Sequence, residues 1–393
     1  MGLPAPEDRL PRTADAIVVG GGAVGVSAAY HLASAGVGSV VLVEREDALG
    51  TGSTGHCAGG FRHQFSSRIN VQLSLASIPL ITGFSAEHGL PLDISQDGYL
   101  FLVRDPATWV GFQAAAAMQR GLGVDVTSLD GEGAAELVPG VGIDGVIGAT
   151  YCAQDGIADP SGLTLGYATL ARRAGAVIRT GVSAERIAIA SGRVTGVETS
   201  AGPIAAPIVI DAAGPWAAAL AWTAGIELPL EPIPRVVLVT GPFAGVPARR
   251  TLVVDVASSF YFHREGDGVL MGMGDSNERP TFDTTVDERF VAEALVPTAI
   301  GVLPALADAA IARRWVGLYE MTPDRHPIIG RVPGLAGLVL ANGFSGHGFQ
   351  HAPIVGRLVA EIVTDGVAST VDIAELGLDR FAAGRLIGES HVV

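Results

Sequence analysis

The sequence predicts an α/β fold in which a Rossmann-like, mainly parallel sheet is interleaved with a second, antiparallel-sheet domain. Three observations carry that prediction. An apolar strand, Ala16-Ile17-Val18-Val19, runs into Gly20-Gly21-Gly22-Ala23-Val24-Gly25 and later into Val40-Val41-Leu42-Val43-Glu44. Two further apolar runs, at 208–211 and 338–342, also end in small-residue turns, as strands buried on both faces do. Between them, residues 229–274 break into short β-rich stretches: 236–240, 252–255, 260–263 and 269–273.

The first unit is the most specific. Gly20, Gly22 and Gly25 have the G-x-G-x-x-G spacing. The first allows a tight turn, the second a close backbone approach to a pyrophosphate, and the third close helix–strand packing. The helix start adds free N–H groups and partial positive charge. Glu44 follows Gly25 by 19 residues, at a strand end, where a carboxylate can bind both hydroxyls of a ribose. The alternative is an ordinary βαβ unit with glycines for packing alone.

Composition narrows the function. A chain of 393 residues suits two domains or one large α/β domain. The net charge of −15 argues against nucleic acid and anionic membrane partners. Mean hydropathy is +0.40, but the longest apolar region, 16–43, is broken by His31 and several glycines, so no membrane span is expected. Residues 1–15 lack an apolar core of the signal-peptide kind, and a cytoplasmic protein is the simplest expectation. Cys57 and Cys152 make neither a disulfide framework nor a metal site. All 25 basic residues are arginine, so no step can use a lysine.

The remaining elements follow in order. Residues 49–60 form a loop rich in Gly, Ser and Thr that contains His56. Helices are expected at 70–88, 106–120, 132–137 and 162–174, the last capped from Asp159-Pro160-Ser161, with a strand at 98–103. Residues 184–189 and 193–198 alternate and join through Ser191-Gly192, a hairpin signal. Residues 284–312 read as helices, and a last helix spans about 353–364.

With both ends in view, the chain resembles the FAD-dependent amino-acid and amine oxidoreductases of the D-amino-acid oxidase family, especially the sarcosine oxidase, glycine oxidase and dimethylglycine dehydrogenase branch. The resemblance spans about 14–365. It rests on the fingerprint with Glu44, on Leu318-Tyr319-Glu320-Met321-Thr322-Pro323-Asp324, and on Gly343-Phe344-Ser345-Gly346-His347-Gly348-Phe349. It implies an FAD domain built from 14–90, 150–225 and 317–385, and a substrate domain from 91–149 and 226–316.

Site residues follow from the same resemblance. Ser53 and Thr54 match hydroxyls near the pyrophosphate, Val182 a backbone contact to adenine, and Ala213-Gly214 a second strand end near the cofactor. Gly343, Gly346 and Gly348 lie where backbone approaches the flavin ring, at a strand-to-helix junction whose N–H groups favour negative charge on reduced flavin. His56 sits in Gly52-Ser53-Thr54-Gly55-His56-Cys57, which is similar to the setting of a histidine joined covalently to FAD in dimethylglycine dehydrogenase-like proteins. Gly55 stands where they have Trp, so a covalent bond and a noncovalent contact both stay open. The cysteine linkage of monomeric sarcosine oxidases is excluded, because Gly317 occupies that position.

Arg62 resembles the carboxylate-binding arginine of sarcosine oxidases, and a guanidinium can grip a carboxylate through two charge-assisted hydrogen bonds. Tyr319 matches the active-site tyrosine of the Y-x-x-T-P-D motif, and Tyr261 more loosely a tyrosine of the substrate-facing sheet. Gln350 replaces the lysine that follows G-F-S-G-H-G-F in those oxidases, leaving His347 or an arginine to supply positive charge.

The implied function is oxidation of the C–N bond of a small amino or N-alkyl amino acid, of the sarcosine, glycine or proline kind. Hydride passes to flavin N5 and the imine hydrolyses. The partners are then a carboxylate-bearing amine and an electron acceptor, either O2 or another protein or quinone, since the missing lysine puts oxidase activity in doubt. Two alternatives stand beside it. One is 2-hydroxy-acid oxidation with His263 or His347 taking the hydroxyl proton. The other is a flavoprotein subunit or assembly factor holding a structural FAD among partner subunits.

Overall fold

The computed structural model describes residues 10–275 and 277–391. Residues 1–9, most of the stretch read as lacking a signal peptide, lie outside the described residues. Six strands form one sheet in the order Ile328–Arg331, Leu338–Asn342, Val209–Asp211, Ala16–Val19, Val40–Val43, Val177–Arg179. All neighbours are parallel except the edge pair Ile328–Arg331 and Leu338–Asn342. The four central strands are buried along their whole length, which is why they read as unbroken apolar runs.

Helices cover one face. Ala23–Ser34 packs against Gly348–Thr364 and Pro160–Arg173. The first contact is close because Gly356 has no side chain: a Cβ there would lie 2.2 Å from Ser27 Oγ. Asp159 caps its helix by accepting from Ser161 N at 2.9 Å, so the helix starts two residues earlier than expected, at Pro160. The hairpin forms with both turn residues at positive φ, Ser191 at 50° and Gly192 at 71°.

A second sheet of eight strands runs Ile311–Met321, Glu231–Thr240, Gly268–Met273, Phe260–Glu265, Leu252–Asp255, Tyr99–Val103, Gly148–Cys152, Val126–Leu129. It is antiparallel except where Leu252–Asp255 lies parallel to Tyr99–Val103. The fold is thus the α/β architecture with an interleaved antiparallel sheet.

Several elements differ from the sequence reading. The helix expected at 70–88 is two helices, Arg68–Thr82 and Phe84–His88, divided at Gly83. Within 284–312 helical structure is confined to Glu288–Val302 and Pro304–Asp308, and Ile311 opens an eleven-residue strand. That strand starts with the exposed residues 311–314, so it lacks the alternation that marks a half-buried strand. The expected boundaries at 150 and 317 fall inside Gly148–Cys152 and Ile311–Met321. We propose to divide the domains at about 153 and 322, where strand pairing ends.

Candidate functional site

The glycine turn between Ala16–Val19 and Ala23–Ser34 opens onto a cavity of about 770 Å3. Gly20 adopts φ +108°, and a Cβ there would meet Ala212 O at 2.3 Å. Gly22 lines the cavity and is the N-cap of a helix with no side-chain cap. Gly25 does not line it; a Cβ on Gly25 would lie 1.9 Å from Gly20 O, so this glycine holds helix and turn together. Glu44 Oε2 accepts from Gly21 N at 2.6 Å and Oε1 from Glu46 N at 2.9 Å, which fixes the carboxylate at the cavity wall.

Other predicted residues gather around the same space. Thr54 Oγ1 accepts from Ala23 N at 3.2 Å, and Ser53 Oγ donates to Leu318 O at 2.6 Å, tying the loop to the first helix and to the antiparallel sheet. Val182, Ala213 and Gly214 line the cavity. Val182 N–H is already taken by Glu44 O at 2.8 Å, and Ala213 N donates to Asp211 Oδ1 at 3.1 Å. Gly346 and Gly348 line it from the opposite side. Gly343 does not; at φ +75° it sits behind them, where a Cβ would meet Thr322 and Leu230.

The structure adds residues the sequence reading passed over. Arg45 stacks its guanidinium 3.5 Å from the Trp216 ring, and Trp216 stacks on Phe282. All three line the cavity. The signal lay in an aromatic directly after the Gly214-Pro215 turn.

The residues present fit an FAD. Two long helices, Ala23–Ser34 and Gly348–Thr364, turn N-termini without side-chain caps toward one cavity. One suits a pyrophosphate, the other negative charge on a flavin ring. Glu320 Oε2 is buried without a partner at the wall, and burial pushes this carboxyl up to about 7, so it can meet a hydroxyl of a dinucleotide chain. His56 Nδ1 donates to Gly52 O at 2.8 Å, and its side chain borders this cavity and the next.

A smaller cavity, about 70 Å3, adjoins the first and shares His56, Leu318, Tyr319 and Gly346 with it. Arg62, Tyr261, Tyr319, His347 and Gln350 all line it. A Cβ on Gly346 would lie 2.5 Å from the Tyr319 ring, so the glycine seats this tyrosine. Burial raises both Tyr319 and Tyr261, which therefore stay protonated.

Arg62 is 2 % exposed. Nη1 donates to Gln64 O, Nη2 to His391 O, and Nη2 also faces His347 Nε2 at 3.2 Å. The guanidinium lies 4.1 Å from the Phe65 ring centre. Burial and the Arg62 charge hold His347 well below its usual range. His347 is therefore neutral and an acceptor. Of the two sources expected for positive charge near Gly346–Gly348, His347 or an arginine, the arrangement favours Arg62. Gln350 clamps the Arg62 peptide instead of facing the larger cavity, accepting from Arg62 N at 2.9 Å and donating to Arg62 O at 3.2 Å.

Arg235 is a second cation in this pocket that the sequence reading missed. It comes from Glu231–Thr240, with its guanidinium carbon 5.1 Å from the Tyr319 ring centre. A lone arginine ahead of Val236-Val237-Leu238-Val239 was the available signal. His263 has both ring nitrogens at carbonyls, Arg264 O at 2.8 Å and Ala58 O at 3.1 Å. Cys152 joins His63 and Asp155 in a buried cluster, but Asp155 already accepts from His63 N, His63 Nδ1 and Gln64 Nε2. Among the described residues no helix is long and apolar enough to cross a membrane.

Comparison with known proteins agrees with FAD as the cofactor. Residues 15–362 match the family described as DAO, FAD dependent oxidoreductase. The chain is 30 % identical over 377 residues to mitochondrial sarcosine dehydrogenase of Mus musculus, covering 92 % of this chain and 41 % of that protein. It is 30 % identical over 435 residues to FAD-dependent oxidoreductase domain-containing protein 1 of Xenopus laevis, covering 98 % and 86 %. The chain thus spans less than half of the first relative's length. The crystal structure of L-proline dehydrogenase from P. horikoshii superposes with TM-score 0.89 at 34 % identity, over 95 % of this chain and 99 % of that one. Glycine oxidase from Geobacillus kaustophilus gives 0.84 at 26 %, over 94 % and 99 %. With its glycine fingerprint, its second glycine turn and 348 of 393 residues inside the match, the chain belongs to the DAO family of FAD-dependent oxidoreductases.

Proposed function

We propose that this enzyme oxidises the C–N bond of a small amino acid or N-alkyl amino acid. The observation that carries the reading is a pocket of about 70 Å3, with the buried Arg62 and the half-buried Arg235 in its wall, set against the Tyr319 end of the FAD cavity. Bound FAD supplies the two-electron acceptor.

The chain's own residues bind, orient and shield the substrate. The arginines attract its carboxylate by charge-assisted hydrogen bonds. Their positive charge also disfavours an ammonium, so the amine enters neutral, the form with a lone pair to drive C–H cleavage. Protonated Tyr319 and Tyr261 offer hydroxyls and take no proton. The 2-hydroxy-acid alternative finds less support. His347 Nε2 is turned to Arg62, and both nitrogens of His263 face carbonyls, so neither ring is placed to take a hydroxyl proton.

The sarcosine, glycine and L-proline named for the relatives are the first substrates to try. Each is added anaerobically, with dimethylglycine, D-amino acids and 2-hydroxy acids, while the flavin band is followed. Bleaching by an amino acid supports the reading, and recovery in air separates oxidase from dehydrogenase. Bleaching by a hydroxy acid alone, or by none of them, sinks it; the second result favours a structural flavin in a larger assembly. Flavin fluorescence that stays on the denatured chain, and is lost in His56→Ala, would assign a covalent link to His56.

A further inference from the structure

Arg235 and Arg62 share a pocket but are held differently. The Nη groups of Arg62 are taken by neutral, fixed acceptors: two backbone carbonyls and His347. Arg235 instead forms an ion pair with Glu278, and its Nη1 reaches Pro234 O at 3.3 Å. Its buried Nε has no partner. Gly274 leaves room beside it: a Cβ there would lie 3.5 Å from the guanidinium carbon.

Glu278 lies in a stretch, 274–287, that carries no helix or strand among its described residues. Turn contacts shape this stretch: Glu278 N donates to Asp275 O at 3.1 Å, and Thr281 N to Pro232 O at 2.8 Å. A side-chain carboxylate thus holds the guanidinium of a residue that lines a cavity suited to a carboxylate on a small molecule, although Glu278 is not itself part of the cavity wall. A half-buried guanidinium stripped of its counter-ion is disfavoured, so another anion takes the place of Glu278 at lower cost than a neutral group.

Resting on the amino-acid reading above, we propose that Arg235 is a carboxylate anchor of the substrate pocket and that Glu278 is its resident stand-in, displaced when a substrate carboxylate enters. The exchange is one carboxylate for another and involves no bond making. It makes the site selective: an amine without a carboxylate cannot release Glu278. The unpartnered Nε leaves the guanidinium with a donor to spare.

The test is equilibrium binding of a redox-inert pair, pyrrole-2-carboxylate and its carboxamide, to the FAD-loaded enzyme, read from the change in the flavin spectrum. Glu278→Gln removes the competing charge and tightens carboxylate binding, by about tenfold. Arg235→Met weakens it by about 100-fold, with Arg235→Lys in between. The carboxamide responds to none of these changes. Wild-type affinity in both Glu278→Gln and Arg235→Met, weaker binding in Glu278→Gln, or no binding of the carboxylate to any form overturns the proposal. Should Arg235→Met fail to retain FAD, the Glu278→Gln result decides alone. Because the probes are inert, a failed exchange is distinct from a failed amine oxidation: carboxylate exchange without bleaching by any amino acid would leave this anchor standing and remove the proposed reaction.

Discussion

Gln350 brackets the peptide of Arg62 from both sides, its Oε1 accepting from Arg62 N at 2.9 Å and its Nε2 donating to Arg62 O at 3.2 Å. The same amide reaches Ser74 Oγ at 3.1 Å. One side chain on the helix behind the second glycine turn therefore sets where the pocket arginine begins. Gln350→Ala leaves these buried groups unpaired, at a cost of about 1–3 kcal/mol. A lower urea midpoint and a several-fold higher KM for the carboxylate substrate are expected. An unchanged midpoint would show that Arg62 is held without it.

Arg62→Met tests the neighbouring cation. Losing a charge-assisted bond of roughly 1.5–3 kcal/mol raises KM for a carboxylate substrate about 10- to 100-fold. Thermal stability falls too, because Gln64 O and His391 O lose their donors. Equal KM in mutant and wild type would remove Arg62 from substrate binding and leave Arg235 as the anchor.

Glu389 should make the enzyme acid-sensitive. Its carboxylate accepts from Ser66 N at 2.8 Å, Ser67 N at 3.1 Å, Ser67 Oγ at 2.7 Å and Asn70 Nδ2 at 3.1 Å. Burial opposes the charge, but these donors win and hold it well below its ordinary value of 4.5. A lowered folded pKa means stability that is full above about pH 4.5 and lost as pH falls through the folded value. Glu389→Gln should lower the urea midpoint at pH 7 and narrow the gap to wild type as pH drops below 4.5. A gap of constant size would refute the linkage.

Asp211 works the other way. Burial, with the nearby Glu320 adding repulsion, raises it from 3.8 to about 7. The folded state then binds the extra proton, so stability falls as pH rises from 3.8 to 7 and levels off above. Asp211→Asn should be more stable than wild type at pH 8 and lose that advantage near pH 4. Denaturation at both pH values checks the sign.

Gly25→Ala should yield protein without yellow colour. Its Cβ would fall 1.9 Å from Gly20 O, forcing the turn and helix apart where the fingerprint would cradle a pyrophosphate. Normal FAD content would show that the turn relaxes without losing its grip.

The βαβ unit was legible in sequence because its determinants are local. Gly20, Gly22, Gly25 and Glu44 act within one supersecondary unit, and strands buried on both faces show as apolar runs. The Y-x-x-T-P-D motif was equally visible, yet only its tyrosine lines the pocket. Asp324 forms a buried two-bond ion pair with Arg380, at 2.8 and 3.0 Å, that anchors the turn. What could not be read was pairing across the chain. Arg62 meets His391 and Gln350, 329 and 288 residues away, and Arg235 meets a glutamate from an irregular stretch with no motif. Periodicity carries no information about such partners. The strand Ile311–Met321 was missed for a related reason: its exposed start hides the alternation its buried half would show.

The interleaving of the two sheets has a consequence for how the molecule comes apart. The chain passes between them four times, between 43 and 99, 152 and 177, 211 and 231, and 321 and 328. A single proteolytic nick inside either sheet therefore leaves both fragments holding incomplete portions of the fold. Such a topology closes its longest loops late, so it folds slowly and as one cooperative body. Limited proteolysis should yield nicked but associated protein until the whole assembly melts, with the flavin site and the arginine pocket lost together.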